Sequence, residues 1–302
     1  MKGKEKLKIF DAHTHIGPDN YQLKLGKENF DITLKQLTTI LEKNGIEGAI
    51  IMCSSSTYTV CPNYKCLSPS GPMRLKEKDP FILQCEDCGA TVKTKPYFRA
   101  NLSLFKNCKD KKTLFPFLTI DLRYPYLEEY IKFFISHFNV YGIKINCFAI
   151  RTSSLKLMEY KKLLSLFQER DFPLLIHATN SNFSPDDALE LSNRSGLKVI
   201  IAHGPKIAER LLKKISASER TFVDLSPYLA LCKKYGWEPR EKLKKILDVV
   251  DYRKILFGSD IPFTADYTEE IEFWRNVELE EEVKKRILSL NAFEFLGIEL
   301  NH

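Results

Sequence analysis

Short apolar runs recur along the chain, separated by stretches in which apolar residues fall three and four positions apart. Residues 7–12, 48–53, 115–121, 140–146, 173–177, 198–203, 221–226 and 254–259 are eight such runs of strand length. Residues 33–44 read as a helix: Leu34, Leu37, Ile40 and Leu41 form one stripe, Thr33 and Gln36 have capping-box spacing, and Gly45 can close the end. Ser184 followed by Pro185, Asp186 and Asp187 opens another helix, which ends at Gly196. Residues 241–250 and 280–290 are also helix-like. Strand alternating with helix predicts an α/β fold with a parallel sheet built from βαβ units.

Eight units fit a closed (β/α)8 TIM barrel better than an open sheet. Such a barrel takes about 250 residues, and setting residues 57–96 aside as an insert of 40 leaves 262 of the 302. The structural alternative is a doubly wound open sheet. That fold often carries a glycine-rich phosphate turn after its first strand, which is missing here. The expected organisation is one barrel domain over residues 1–302, with a small insert after its second strand.

Hydrophobic residues make up 44% and charged residues 28%, enough for a sizeable core inside a water-facing surface. No run approaches 18 uninterrupted apolar residues, which argues against a membrane span. The charged N-terminus leads straight into the first strand without an apolar signal core, so a cytoplasmic location is expected. The net charge of +7 is mostly local, because residues 57–112 hold 11 basic against 5 acidic side chains. A basic patch can meet nucleic acid or an anionic substrate; a solvated lysine-rich surface is the plainer reading.

Four of the six histidines end predicted strands: His13 and His15 after the first, His177 after the fifth and His203 after the sixth. Asp260 ends the eighth. Barrel active sites are built at that end of the strands. Asp11, His13 and His15 share one parity, so uninterrupted strand alternation would point all three the same way. Any one of these residues has an ordinary explanation as a hydrogen-bonded core or loop group. Five of them at strand ends do not.

The run Phe10-Asp11-Ala12-His13-Thr14-His15-Ile16-Gly17, the strand-end His177 and His203, Phe257-Gly258-Ser259-Asp260 and the late Asn291-Ala292-Phe293-Glu294-Phe295-Leu296-Gly297 resemble the amidohydrolase superfamily. The nearest branch is the amidohydrolase-related family of metal-dependent hydrolases, lactonases and non-oxidative decarboxylases. The resemblance covers residues 7–56 and about 97–298. It implies that His13, His15, His177 and Asp260 ligate a divalent metal and that His203 acts beside it. Zinc leads, since imidazole and carboxylate ligands suit it, with manganese and iron left open. Such an ion lowers the pKa of its water to roughly 7. Asp260 would then carry the proton, and His203 would stabilise the oxyanion or orient the water. Asp11 reads as a supporting residue outside the ligand set.

Lys144, in the predicted fourth strand, has two readings. In binuclear relatives a lysine there is carbamylated and bridges two ions; in the preferred mononuclear arrangement it is a cation facing an anionic substrate, or a structural residue. Arg123, ending the third strand, could clamp a carboxylate or join a salt bridge. Asn146 and Ser226 are further candidate substrate contacts.

Cys61, Cys66, Cys85 and Cys88 lie in the insert. Cys85 and Cys88 form a Cys-x₂-Cys pair followed by glycine, and Cys61 and Cys66 are spaced at the upper end of common ligand intervals. They read as a structural, zinc-ribbon-like site, with Lys65, Lys76, Lys78 and Lys93 balancing thiolate charge. An insert of that length cannot bury a core alone. Tyr64, Phe81, Tyr97 and Phe98 could stack on nucleic acid, although aromatics more often pack in cores.

The leading expectation is therefore a metal-dependent hydrolase acting on an amide, ester or lactone of a small carboxylated molecule. A decarboxylase on the same metal platform is the first alternative, and a nucleic-acid- or partner-binding module the second. The intact ligand set argues against a binding-only role, nothing points to a membrane partner, and a homo-oligomer is left open.

Overall fold

The structure is a computed structural model that describes residues 7–19, 22–23, 30–54, 97–150, 152–178, 183–264 and 266–298, together with the backbone of 75–79, 82–85 and 91–93. Eight strands run parallel in one sheet: β1 (Ile9–Pro18), β3 (Ile46–Cys53), β7 (Leu114–Ile120), β8 (Gly142–Asn146), β9 (Leu174–His177), β10 (Val199–Ile201), β11 (Thr221–Asp224) and β12 (Ile255–Leu256). A two-residue β2 (Asp31–Ile32) adds antiparallel to the end of β1. The sheet curls until its edges meet. Ala12 N–H donates to the Phe257 carbonyl at 2.9 Å, Asp260 N–H to that of His13 at 2.7 Å, and His15 N–H to that of Ile261 at 2.9 Å. Thr14 also bridges Ile261 in parallel. The result is a barrel-like α/β fold, as the strand pattern predicts.

Each face of the sheet has its own apolar layer. Phe10, Ala12, Ile50, Met52, Phe117, Leu175, Ile200 and Leu256 pack together with Ala292 and Phe295 of the helix Asn291–Leu296. The alternate positions, among them Ile51, Leu118, Ile143, Ile176, Val199 and Val223, pack outward against the surrounding helices. This two-sided burial explains the near-continuous apolar strand sequences. Asn291 donates from Nδ2 to the carbonyls of Tyr252 and Ile255, both at 2.7 Å. The late Asn291–Gly297 run therefore ties a helix to the base of the last strand.

The predicted caps are present. Thr33 and Gln36 exchange capping-box bonds ahead of the helix Leu34–Lys43, and Gly45 follows at φ +62°. Ser184 caps Pro185–Ser195, which ends at Gly196 at φ +69°. Residues 280–290 depart from a plain α-helix: Glu281–Lys285 is α-helical and Arg286–Leu290 is a π-helix.

The stretch between β3 and the helix Phe98–Cys108 carries a separate antiparallel sheet of β4 (Leu75–Asp79), β5 (Ile82–Cys85) and β6 (Thr91–Lys93). Cys61, Cys66 and Cys88, the side chain of Cys85, and Tyr64 and Phe81 lie outside the described residues. Tyr97 is buried, and Phe98 packs edge-on to Tyr130 and Phe134, so these two belong to the core rather than to a stacking surface. Among the described residues, no helix is long and apolar enough to cross a membrane.

Behind β1, the helix Tyr267–Asn276 buries Glu270 completely. Its carboxylate accepts from Leu229 N–H at 2.9 Å and from Trp274 Nε1–H at 3.0 Å. Burial, with Asp11 nearby, outweighs these bonds and raises its pKa to about 7. A raised folded pKa gives stability that is full below the unfolded value near 4.5 and is lost as pH climbs through 7. We expect Glu270→Gln to flatten this loss, worth about 2–3 kcal/mol between pH 4.5 and 7.5. Denaturant midpoints of parent and variant across that range check it; parallel curves would refute the raised pKa.

Candidate metal centre

The site begins with a break in β1. Asp11 pairs in register with Ala49 and Thr14 with Ile51, so two residues, Ala12 and His13, oppose Ile50 alone. This is a β-bulge, and it resets strand alternation. Phe10 and Ala12 join the interior cluster, and beyond the bulge His13 and His15 also turn inward. Asp11 does not. It accepts at Oδ1 from His13 N–H (3.1 Å) and Ser259 N–H (3.0 Å), and at Oδ2 from Tyr267 Oη–H (3.0 Å) on the outer helix. The expectation that Asp11, His13 and His15 share one face is thus overturned by one extra residue. Burial pushes the Asp11 carboxyl up to about 6 despite those bonds.

His13, His15 and Asp260 converge. His13 Nε2 lies 3.1 Å from His15 Nε2 and 3.4 Å from Asp260 Oδ1, and His15 Nε2 lies 3.1 Å from the same oxygen. One ligand atom from each can meet a single ion. Asp260 stands at φ +55° and His203 at φ +63°, left-handed backbone that non-glycine residues seldom adopt. Gly258 permits the approach of the strand ends, since a Cβ there would stand 2.9 Å from His13 Cβ.

The donor set fits a divalent cation. His13 Nδ1 sits 2.9 Å from Asp224 Oδ2 and 3.0 Å from Ser226 Oγ, both fully buried. With its proton held on that side, the Nε2 lone pair faces the cluster, as a metal-ligating imidazole requires. Burial and the Lys144 ammonium lower the His13 pKa to about 4, which keeps the ring neutral at physiological pH. Burial alone would raise Asp260, but the imidazoles of His13, His15 and His203 hold it well below the usual carboxylate range. Each of these three atoms can turn a lone pair toward one ion placed between them.

Lys144 is buried on β8, with Nζ 3.2 Å from His13 Nε2. Burial brings its pKa down to about 8 against the pull of Asp260 and Asp224. His177 lies one step out: its Nδ1 is 3.0 Å from His203 Nε2, and His203 Nδ1 meets the Ser226 carbonyl at 2.7 Å. His203 Nδ1 is also 3.9 Å from Asp260 Oδ2. Burial lowers both imidazoles, His177 markedly. Phe263 stands edge-on to His15, and Phe148 stacks on His177.

Two candidate substrate contacts are engaged within the chain. Arg123 forks onto Asp121 through Nε and a terminal nitrogen, at 3.0 and 2.7 Å. Asn146 Oδ1 accepts from Ala149 N–H at 3.0 Å, capping the short helix Cys147–Ile150.

Sequence reasoning missed Asp224. It accepts from His13 Nδ1, from His203 N–H (3.1 Å), from Ser226 N–H (3.0 Å) and from Ser226 Oγ–H (2.6 Å). Burial would raise its pKa, but the neighbouring His13 and these donors bring it to about 2. An acidic residue at the end of an otherwise apolar strand was the available signal.

A family model described as Amidohydrolase matches residues 94–298, more than half of the chain. A sequence search of curated proteins finds no match. Solved structures match at full length. A 5-carboxyvanillate decarboxylase from Sphingomonas paucimobilis has a TM-score of 0.66 at 10% identity, over 97% of this chain and 100% of that one. A dihydroxybenzoic acid decarboxylase from Polaromonas, solved with manganese and the inhibitor 2-nitroresorcinol, has a TM-score of 0.67 at 13% identity, over 96% and 97%. A candidate 2-pyrone-4,6-dicarboxylic acid hydrolase from Pseudomonas putida has a TM-score of 0.59 at 17% identity, over 98% and 100%. At these identities the likeness carries the fold.

Proposed function

Since the chain belongs to the amidohydrolase family, we propose that it is a metal-dependent non-oxidative decarboxylase of a small aromatic carboxylic acid. This reverses the order suggested by the sequence, which put hydrolysis first. Decarboxylases dominate the structural relatives, and three of these were solved with manganese. The observation that carries the reading is the convergence of His13, His15 and Asp260, with Phe263 edge-on to His15 and Phe148 stacked on the neighbouring His177.

His13, His15 and Asp260 would hold the ion, with His177 as the fourth ligand the family resemblance implies. A divalent ion held there would supply Lewis acidity toward the substrate's oxygens. Phe263 and Phe148 would offer aromatic surface to a flat ring. Lys144 places a cation where a carboxylate enters. When carbon dioxide departs, the bonding pair stays on the ring carbon, which must take up one proton. Asp260 is suited to carry it, because its side chain is 10% exposed whereas that of Asp224 is 0%. His203, between Asp260 and His177, orients the reacting group. Arg123 and Asn146 would contribute from the rim only by exchanging their present partners.

Hydrolysis of a lactone is the second reading, favoured by the Pseudomonas putida relative. The cysteine-rich insert is proposed to hold a separate structural zinc through Cys61, Cys66, Cys85 and Cys88.

The test is a panel of hydroxybenzoates, carboxyvanillates and pyrone dicarboxylates, assayed for carbon dioxide release with the protein loaded with manganese or zinc. Release is expected with at least one aromatic acid, lost on chelation and restored by the ion. Ring opening without carbon dioxide would decide for the hydrolase. Turnover surviving complete removal of metal would overturn both readings.

A further inference from the structure

His203 is followed by a tight turn, Gly204–Lys206, closed by Lys206 N–H onto the His203 carbonyl at 3.0 Å and Ile207 N–H onto that of Gly204 at 2.9 Å. Its path is fixed. A Cβ on Gly204 would stand 2.5 Å from Val223 Cγ2 and 2.9 Å from the Asp224 carbonyl, so glycine is needed where the turn presses on β11. Lys206 leaves this turn exposed. Among the described residues no carboxylate lies within ion-pair distance of it. The helix Tyr228–Tyr235 packs against the turn and brings a second exposed ammonium, Lys234. Lys234 likewise has no acidic partner among the described residues; the ring of Tyr235 lies 5.6 Å away. Lys206 follows His203 by three residues on this turn, and the His203 ring faces both His177 and Asp260.

Two cations on adjoining elements, without counter-ions among the described residues and held beside the candidate metal centre, form a site whose complement is an anion. The reacting carboxylate is already provided for by the ion and Lys144. We propose that Lys206, supported by Lys234, binds a second anionic group of the substrate, so that the enzyme selects dianions, most simply aromatic dicarboxylates. This rests on the metal-centre reading above and adds to it the charge and layout of the substrate.

Manganese-loaded protein titrated with benzoate and with phthalate, isophthalate and terephthalate, followed by calorimetry, separates the two claims. The parent should bind one dicarboxylate about fivefold more tightly than benzoate, as expected for a partly exposed ion pair, and added salt should erode the preference. Lys206→Met should abolish the preference and leave benzoate affinity and manganese content unchanged, and Lys206→Arg should keep it. A parent that binds benzoate with no preference among the four, or a preference that survives Lys206→Met and Lys206→Met/Lys234→Met, overturns the role of Lys206 alone. A parent that binds manganese but none of the four acids overturns the decarboxylase reading and the role of Lys206 together.

Discussion

Asp260→Asn is expected to cut turnover by about 10²–10⁴-fold, the range associated with losing a positioned proton carrier, while the protein stays folded. The amide keeps the shape of the carboxylate but supplies neither a negative ligand nor a group that can take up and release a proton at the point where His13 and His15 converge. Folding should survive because asparagine tolerates the left-handed backbone found at this position better than most residues. Turnover, bound metal and thermal midpoint measured on one preparation check this. Parental turnover at full metal occupancy would remove Asp260 from the chemistry, and with it the proposed mechanism.

The second large effect is expected at Asp224, which touches no substrate. Three donors, two backbone N–H groups and the Ser226 hydroxyl, converge on its Oδ1, while Oδ2 faces His13 Nδ1. In Asp224→Asn the amide oxygen stays with the three donors and the NH₂ turns to His13. Nδ1 must then accept, the ring proton moves to Nε2, and the lone pair meant for the ion is gone. Metal affinity should fall about 10–100-fold, the usual cost of losing such a partner. Asp224→Ala strands all four groups in a dry interior and should cost about 3–5 kcal/mol of stability. Manganese titration of the first variant and denaturant unfolding of the second test this. An Asp224→Asn protein that binds manganese as tightly as the parent would sink the tautomer argument.

The strands were legible because each is buried on both sides, which forces runs such as Val199-Ile200-Ile201 that no surface segment would carry. The caps at Thr33 and Ser184 were legible because capping is local chemistry. The bulge was not: nothing in Asp11-Ala12-His13 distinguishes a strand that keeps its alternation from one that skips a beat, and pairing with β3 decides. Asp224 escaped notice for a related reason. Its importance comes from His13, 211 positions away, and a lone acid in an apolar run has no partner visible nearby. Arg123 had two readings from the sequence, a substrate clamp or a salt bridge, and the carboxylate it grips in the structure is that of Asp121, two residues back. Between hydrolase and decarboxylase the ligands are silent, because both reactions draw on one set of donors.

The join between β1 and the eighth parallel strand is thin, since β12 spans only two residues and Asp11 and Ser259, 248 positions apart, are clasped there by a single side chain. His13 and His15 stand on one lip of that join and Asp260 on the other. A cation shared among them would act as a rivet through the seam. It can be captured only after both ends of the polypeptide have been made and brought together, so loading has to be a late event in maturation. Once in place, it would clamp the ring across this seam.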